Sequence, residues 1–188
     1  QFQFFGSLLQ LSFPITPLPS VLMSQSCRVV CEPDFLGSGF FGRIDILVNN
    51  AALYGGLKGA RFELLDEAQW DAVMNINVKG LWQCCKAVVG PMRESGGGSI
   101  INISSLAAVF GLPYGLDYVA SKAAVIGMTR GMARELGKDR IRVNAVAPSA
   151  VMTEGTEEFF GAKFDKAKQV IAAGQLIQRN LQPGDLTG

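Results

Sequence analysis

The chain has 188 residues, of which 48% are hydrophobic and 18% are charged, and it contains no histidine. This size and composition predict one globular domain with a sizeable core and exclude general disorder. The formal charge of +1 provides no field for nucleic acid or acidic lipid, so we expect neither as a partner. Without histidine, Ser-His-Asp and Cys-His catalysis are excluded, and acid–base chemistry is left to Tyr, Lys, Cys or carboxylates.

Residues 1–42 differ in charge and hydrophobic pattern from the rest of the chain. The stretch Gln1–Met23 is uncharged and apolar, as in a signal peptide, but it has no basic start and no small-residue cleavage site. Pro14, Pro17 and Pro19 would break a membrane helix, so we predict no membrane span. We interpret residues 1–42 as an atypical leader, with a targeting segment as the alternative.

The four cysteines give little support to a metal site. Cys27 and Cys31 could form half of a zinc site, but no second pair follows at ligand spacing, so we predict no metal. Cys84 and Cys85 lie within a helical pattern, which indicates small core residues of a protein in a reducing compartment. We therefore expect a cytoplasmic protein.

From residue 43 onward, short apolar runs alternate with helical spacing. The runs are rich in β-branched residues, which favours buried strands, and each is followed by a polar or Pro-containing turn. This order predicts an α/β fold, a Rossmann-like doubly wound parallel sheet in a single domain over residues 43–188 that is incomplete at both ends. The predicted strands are Ile44–Val48, Ser99–Ser104 and Ile141–Ala147, and the predicted helices are Asp66–Val78, Gly80–Met92, Tyr118–Leu136 and Glu157–Gln178, with a turn at Gly96–Gly98, a loop from Leu106 to Leu116 and Gly137 as a helix C-cap.

Five motifs follow one another in this part of the chain. They are Val48–Ala52 (VNNAA), Asn77–Gly80 (NVKG), Ser104-Ser105, Tyr118–Lys122 (YVASK) and Val143–Ser149 (VNAVAPS). Tyr118 follows Ser105 by thirteen residues, and Tyr118 and Lys122, four apart, share one face of a helix. The set resembles the short-chain dehydrogenase/reductase family, whose motifs occur in this order and with these gaps.

The resemblance implies an NAD(P)-dependent oxidoreductase that transfers hydride between a nicotinamide and an alcohol or carbonyl substrate. It implies that Tyr118 transfers the hydroxyl proton, that Lys122 holds the nicotinamide ribose, and that Ser105 steadies the substrate oxygen. Asn77 would complete this catalytic set by fixing a water-linked proton path behind Lys122. We also expect the Lys122 ammonium to lower the pKa of Tyr118 from its usual value near ~10.

The resemblance also implies a cofactor surface at the carboxyl ends of the strands. The expected cofactor-binding residues are Asn50, Ala51, Ala52, Tyr118, Lys122, Pro148, Val151 and Thr153. Tyr114 is expected to line a mainly apolar substrate pocket, and the small residues on the helix Tyr118–Leu136 are expected to form a contact in a homodimer or homotetramer.

The phosphate-binding part of the family pattern is not recognisable in residues 1–43. The run Gly37–Gly42 fits G-x-G-x-x-G literally, but it precedes a strand and opens no helix, so we interpret it as a connection. We therefore expect weak NAD or NADP binding by the chain as given, unless Val21–Val30 supplies a substitute strand. A faulty gene model would explain the leader, and the alternative function is a dehydrogenase-derived protein with an interaction role and no cofactor.

Overall fold

The computed structural model describes residues 4–5, 8–9 and 44–186. The predictions for Val21–Val30, Cys27, Cys31 and Gly37–Gly42 lie outside these residues, as does most of Gln1–Met23. Phe4–Phe5 (β1) and Leu8–Leu9 (β2) pair in antiparallel fashion.

A three-stranded parallel sheet organises the described part of the chain. Its strands are Ile46–Asn49 (β3), Gly98–Ile103 (β4) and Ile141–Val146 (β5), in the spatial order β3-β4-β5. All three predicted strands are confirmed, with bounds that differ by one or two residues. The arrangement is a Rossmann-like α/β fold, as the sequence predicts.

The two helical stretches predicted after β3 form one continuous helical segment. It runs from Glu67–Met74 (α1) through a π-helical turn at Asn75–Gly80 into Leu81–Glu94 (α2). Asp66 caps α1 by accepting a hydrogen bond from the Ala68 backbone N–H at 3.3 Å. The π-helical turn shifts the helix register at Asn77, and such insertions are frequent at functional sites.

The remaining helices correct the predicted bounds in three places. The predicted loop 106–116 contains a one-turn helix, Ala107–Phe110 (α3), and the long helix starts two residues early, at Leu116–Leu136 (α4). Gly137 is the C-cap of α4, as predicted; it is right-handed and begins a 3₁₀ turn, which is followed by the left-handed Arg140 with φ of 57°. The last predicted helix is broken at Gly161 (φ 51°) into Glu154–Phe160 (α5) and Phe164–Ala173 (α6).

The core lies between α2, α4 and one face of the sheet. Leu81, Cys85, Val88 and Met92 recur at helical spacing along α2 and are buried against Ile100 and Val143 of the sheet and Val125 of α4. The burial of Cys85 confirms its predicted core position, whereas Cys84 is half-buried. This packing fixes α4, which carries Tyr118 and Lys122, across the strands.

Candidate active site

The three parallel strands end at one edge of the sheet. Asn49 of β3 pairs with Asn102 of β4, and Ile103 of β4 pairs with Val146 of β5. The segments that follow these ends carry the predicted site residues. In open α/β sheets ligands bind outside this carboxyl edge.

Tyr118 and Lys122 lie on the buried face of α4, beside the end of β4. Their side chains are 9% and 4% exposed. The Lys122 Nζ donates a hydrogen bond to the Ile103 carbonyl oxygen at 2.9 Å and lies 5.7 Å from the centroid of the Tyr118 ring. The predicted juxtaposition of the two side chains on one helix face is therefore present.

The electrostatic state of Tyr118 differs from the expectation. Burial raises the pKa of Tyr118 to about 12, while a side-chain hydrogen bond with Ser105 acts in the opposite direction and nearby Tyr54 adds to the rise. The predicted lowering of this pKa by Lys122 is wrong for the structure described, because loss of hydration dominates and the ammonium is directed at Ile103. Tyr118 is consequently a neutral phenol at neutral pH.

Lys122 is perturbed by the same burial. Loss of hydration lowers the pKa of its ammonium from 10.5 to about 8. One of its three N–H donors is used by Ile103, which leaves donor capacity for hydroxyl groups placed beside the strand end. This chemistry fits the ribose of a nicotinamide nucleotide.

Asn77 is buried in the π-helical turn and holds the loop after β3. Its Oδ1 accepts a hydrogen bond from the Leu53 N–H at 2.7 Å, and its Nδ2 donates to the Leu53 carbonyl at 3.2 Å and to Ser121 Oγ at 3.1 Å. Because Ser121 precedes Lys122 on α4, Asn77 ties the β3 loop to the helix that carries the Tyr–Lys pair. These contacts are with Leu53 and Ser121, so the role in a proton path stays a prediction.

The predicted cofactor residues lie on the same edge. Asn50 and Ala51 are exposed and Ala52 is half-buried, directly after β3. The other three follow β5: the carbonyl of Pro148 accepts from the Leu106 N–H at 2.9 Å, Val151 bridges to Leu181, and Thr153 caps α5 by accepting from the Thr156 N–H at 3.3 Å. These positions fit the nicotinamide half of a dinucleotide. Within residues 44–186 no helix begins directly at a glycine-rich turn after a strand, because the glycines of segment 55–59 follow β3 but α1 begins only at Glu67. This region therefore offers no helix N-terminus in the position that would hold the pyrophosphate.

Two aromatic side chains of the site are missing from the sequence-based set. Tyr54, in the loop after β3, stacks on Phe159 of α5 at 4.7 Å between ring centroids and lies 5.0 Å from the Tyr118 ring. The centroids of Phe159 and Tyr118 are 6.3 Å apart. Burial raises the pKa of Tyr54, and a side-chain hydrogen bond between Tyr54 and Thr156 opposes the rise. No local pattern reveals this cluster, because its members meet only in the folded chain.

Asp117 and Gln69 form a second feature that the motifs do not reveal. Asp117 is 1% exposed, and it accepts hydrogen bonds from the Tyr118 N–H and from Gln69 Nε2, both at 2.8 Å. Gln69 also pairs with both backbone groups of Lys58, at 3.0 and 3.1 Å. This network joins α1 and the 57–60 loop to the first turn of α4.

Tyr114, which we expected to line the substrate pocket, is 63% exposed and has φ of 65°. Its carbonyl accepts a hydrogen bond from the Ala60 N–H at 3.1 Å. The structure records no contact between its ring and the Tyr54–Tyr118–Phe159 cluster, so the pocket-lining role stays a prediction.

Residues 4–5, 8–9 and 44–186 contain neither a metal-binding cluster nor a membrane-spanning helix. In that part of the chain no three His, Cys, Asp or Glu side chains are grouped so as to hold a metal ion. None of its helices has the length and apolar character needed to cross a membrane.

Comparisons with known proteins converge on one family. A family profile described as Enoyl-(Acyl carrier protein) reductase matches residues 36–188. The chain is 46% identical over 118 residues to a 3-oxoacyl-(acyl-carrier-protein) reductase of Thermotoga maritima, an alignment that covers 63% of this chain and 47% of that protein. It is 40% identical over 136 residues to a D-threitol dehydrogenase of Mycolicibacterium smegmatis, with 72% and 51% covered.

The chain is also similar in structure to solved dehydrogenases and reductases. Levodione reductase superposes with a TM-score of 0.72 at 31% identity, covering 78% of this chain and 58% of the other. The protein ElxO with NADP bound gives 0.68 at 31% identity, and NAD⁺-bound xylitol dehydrogenase gives 0.69 at 28%, each covering 78% of this chain and 58% and 60% of the other. The chain spans about half the length of the curated relatives it matches.

Proposed function

This chain belongs to the short-chain dehydrogenase/reductase family, and from that membership we propose that it carries the catalytic half of an NAD(P)-dependent oxidoreductase acting on an alcohol or its carbonyl. The observation that supports the proposal most is the buried Tyr118–Lys122 pair, with Ser105 hydrogen-bonded to Tyr118, at the carboxyl edge of the sheet. The described residues are compatible with both NAD and NADP and do not select between them.

The proposed chemistry begins with Tyr118 as a general acid. A substrate carbonyl oxygen accepts hydrogen bonds from Ser105 and Tyr118, which polarises the carbonyl and stabilises the negative charge that develops on that oxygen. The nicotinamide, when bound, supplies the hydride that the carbonyl carbon takes up. The Tyr118 proton passes to the oxygen, which completes the alcohol and leaves a phenolate. The reverse sequence oxidises an alcohol.

Lys122 and Asn77 support this step in different ways. The Lys122 ammonium stabilises the Tyr118 phenolate once it forms, and its remaining N–H donors hold the nicotinamide ribose hydroxyls. Asn77 fixes Leu53 and Ser121, and thereby the surfaces on either side of the pair. Asn50, Ala51, Ala52, Pro148, Val151 and Thr153 form the rest of the nicotinamide-side surface.

We extend the proposal to partners. The substrate is a small molecule, and the protein acts in the cytoplasm as a homodimer or homotetramer. Ala123, Gly127 and Gly131 lie exposed on α4, where small side chains permit close approach of a second helix.

The test is cofactor-dependent turnover. We would join residues 44–188 to a glycine-rich amino-terminal segment of the family pattern, giving what we call the extended chain, and compare it with the chain as given. Nicotinamide absorbance is followed with NADH and NADPH and a panel of cyclic, acyl and sugar carbonyls. The expected result is substrate-dependent oxidation of one cofactor by the extended chain. A folded extended chain that binds cofactor and oxidises it with none of the panel would contradict the proposal.

A further inference from the structure

The ring cluster Tyr54–Tyr118–Phe159 forms one wall of the candidate active site. Tyr54 and Phe159 are stacked with their planes only 16° apart, and both are half-buried. Tyr118, whose hydroxyl is assigned to proton transfer, is tilted against both rings. A substrate that reaches the Tyr118 hydroxyl therefore approaches beside the faces or edges of Tyr54 and Phe159.

The polar groups of this wall are already paired. A hydrogen bond joins the side chains of Tyr54 and Thr156, and Thr156 Oγ1 donates to the Val151 carbonyl at 2.6 Å. At the N-terminus of α5, Thr153 Oγ1 is hydrogen-bonded to both the hydroxyl and the backbone N–H of Thr156. The wall therefore offers a ligand ring faces and few free hydrogen-bonding groups, which disfavours a polyhydroxylated substrate.

The wall is held close to the loop after β3 by a tight backbone approach. A Cβ atom placed on Gly55 would lie 2.5 Å from Glu158 Oε2 and 3.4 Å from the Gly155 Cα. A side chain at position 55 would displace the flexible, exposed Glu158 carboxylate, and the 3.4 Å approach to Gly155 places the loop after β3 in van der Waals contact with the start of α5. Tyr54 and Phe159 thus reach one wall from two distant parts of the chain.

We propose that this site selects carbonyl substrates whose reacting group is attached to an aromatic ring. The inference rests on the proposed function and adds its substrate class. An aryl ring bound at this wall makes ring–ring contacts with Tyr54 and Phe159. An open acyl chain has no ring and cannot make these contacts. Paired aromatic rings gain a contribution that corresponds to roughly twofold to tenfold in affinity.

The experiment measures binding, so it requires neither cofactor nor turnover. Dissociation constants are obtained by fluorine NMR titration of the chain as given with 4-fluoroacetophenone and with 8-fluorooctan-2-one, which has the same number of carbons. We expect the aryl ketone to bind about twofold to tenfold more tightly. Equal affinities, or binding of neither probe, would overturn the proposal.

Variants locate the preference at the wall. Phe159→Leu keeps apolar bulk without a ring and should abolish the preference, whereas Phe159→Tyr keeps the ring and should retain it. Trp82→Leu is the matched control, since Trp82 is 47% exposed on α2 and contacts Lys86 at 5.4 Å. A preference that survives in Phe159→Leu would overturn the assignment to this wall. Turnover of open-chain carbonyls by the extended chain would leave the proposed function intact even if this inference failed.

Discussion

Replacing Lys122 with methionine should change how the stability of the fold depends on pH. The Lys122 ammonium has a pKa of about 8 in the folded protein, against 10.5 for a free lysine. At about 1.36 kcal/mol per pKa unit, keeping it charged costs the folded state about 3 kcal/mol at pH 7. Methionine has a similar length and no charge, so Lys122→Met removes this cost.

The sign of the effect follows from the direction of the shift. A lowered lysine pKa means that the folded state favours the neutral amine, so the cost is complete below pH 8 and disappears as pH rises toward 10.5. Between pH 7 and pH 9.5 the free energy of unfolding of the wild type should rise by about 2 kcal/mol through this group alone. The Tyr118 pKa, about 12, lies above this range.

The assay is urea unfolding of wild type and Lys122→Met at both pH values, followed by tryptophan fluorescence. Ionisable groups common to the two proteins cancel in the stability difference between variant and wild type. The pH-independent loss of the hydrogen bond to Ile103 cancels when the differences at the two pH values are compared. We expect the stability difference, variant minus wild type, to fall by about 2 kcal/mol from pH 7 to pH 9.5. The same pH dependence in both proteins would refute the assignment of Lys122 as a buried, perturbed ammonium.

Three further predictions concern packing and assembly. Met92→Ala should lower the free energy of unfolding by about 2–5 kcal/mol in urea titrations, because Met92 is completely buried between α2 and the sheet. Asp117→Asn should lower the free energy of unfolding by about 1–3 kcal/mol, because the new amide N–H would face another donor, Gln69 Nε2 or the Tyr118 N–H. An unchanged unfolding transition would mean that the network is not maintained in solution. Light scattering should find an oligomer that Gly127→Arg on α4 dissociates, and a clean monomer for the wild type would reject the predicted contact.

The sequence predicts the strands and the shared helix face of Tyr118 and Lys122, for identifiable reasons. Ile44–Val48 and Ile141–Ala147 are short β-branched runs, and these runs form strands of the parallel sheet. The predicted burial is not general, because β3 is only partly buried and Ile141 and Val143 are the buried residues of β5. Tyr118 and Lys122 share a helix face because of their spacing alone. Such local regularities depend little on the rest of the chain.

Features that depend on tertiary packing could not be predicted. The π-helical turn at Asn75–Gly80 has no propensity signal, since it is defined by hydrogen bonds that reach one residue further. The stacking of Tyr54 on Phe159 joins positions far apart in sequence. The pKa of Tyr118 was predicted with the wrong sign, because the motif places an ammonium nearby but does not reveal how deeply the folded chain buries the phenol.

The central claim is that the Tyr118 hydroxyl transfers the substrate proton, and Tyr118→Phe in the extended chain tests it most directly. The measurement is turnover together with the dissociation constant of the cofactor, obtained by nicotinamide fluorescence. We expect turnover to fall by at least about a hundredfold while cofactor affinity stays nearly unchanged, because phenylalanine keeps the ring and loses only the oxygen. A Tyr118→Phe protein with near-normal turnover would contradict it.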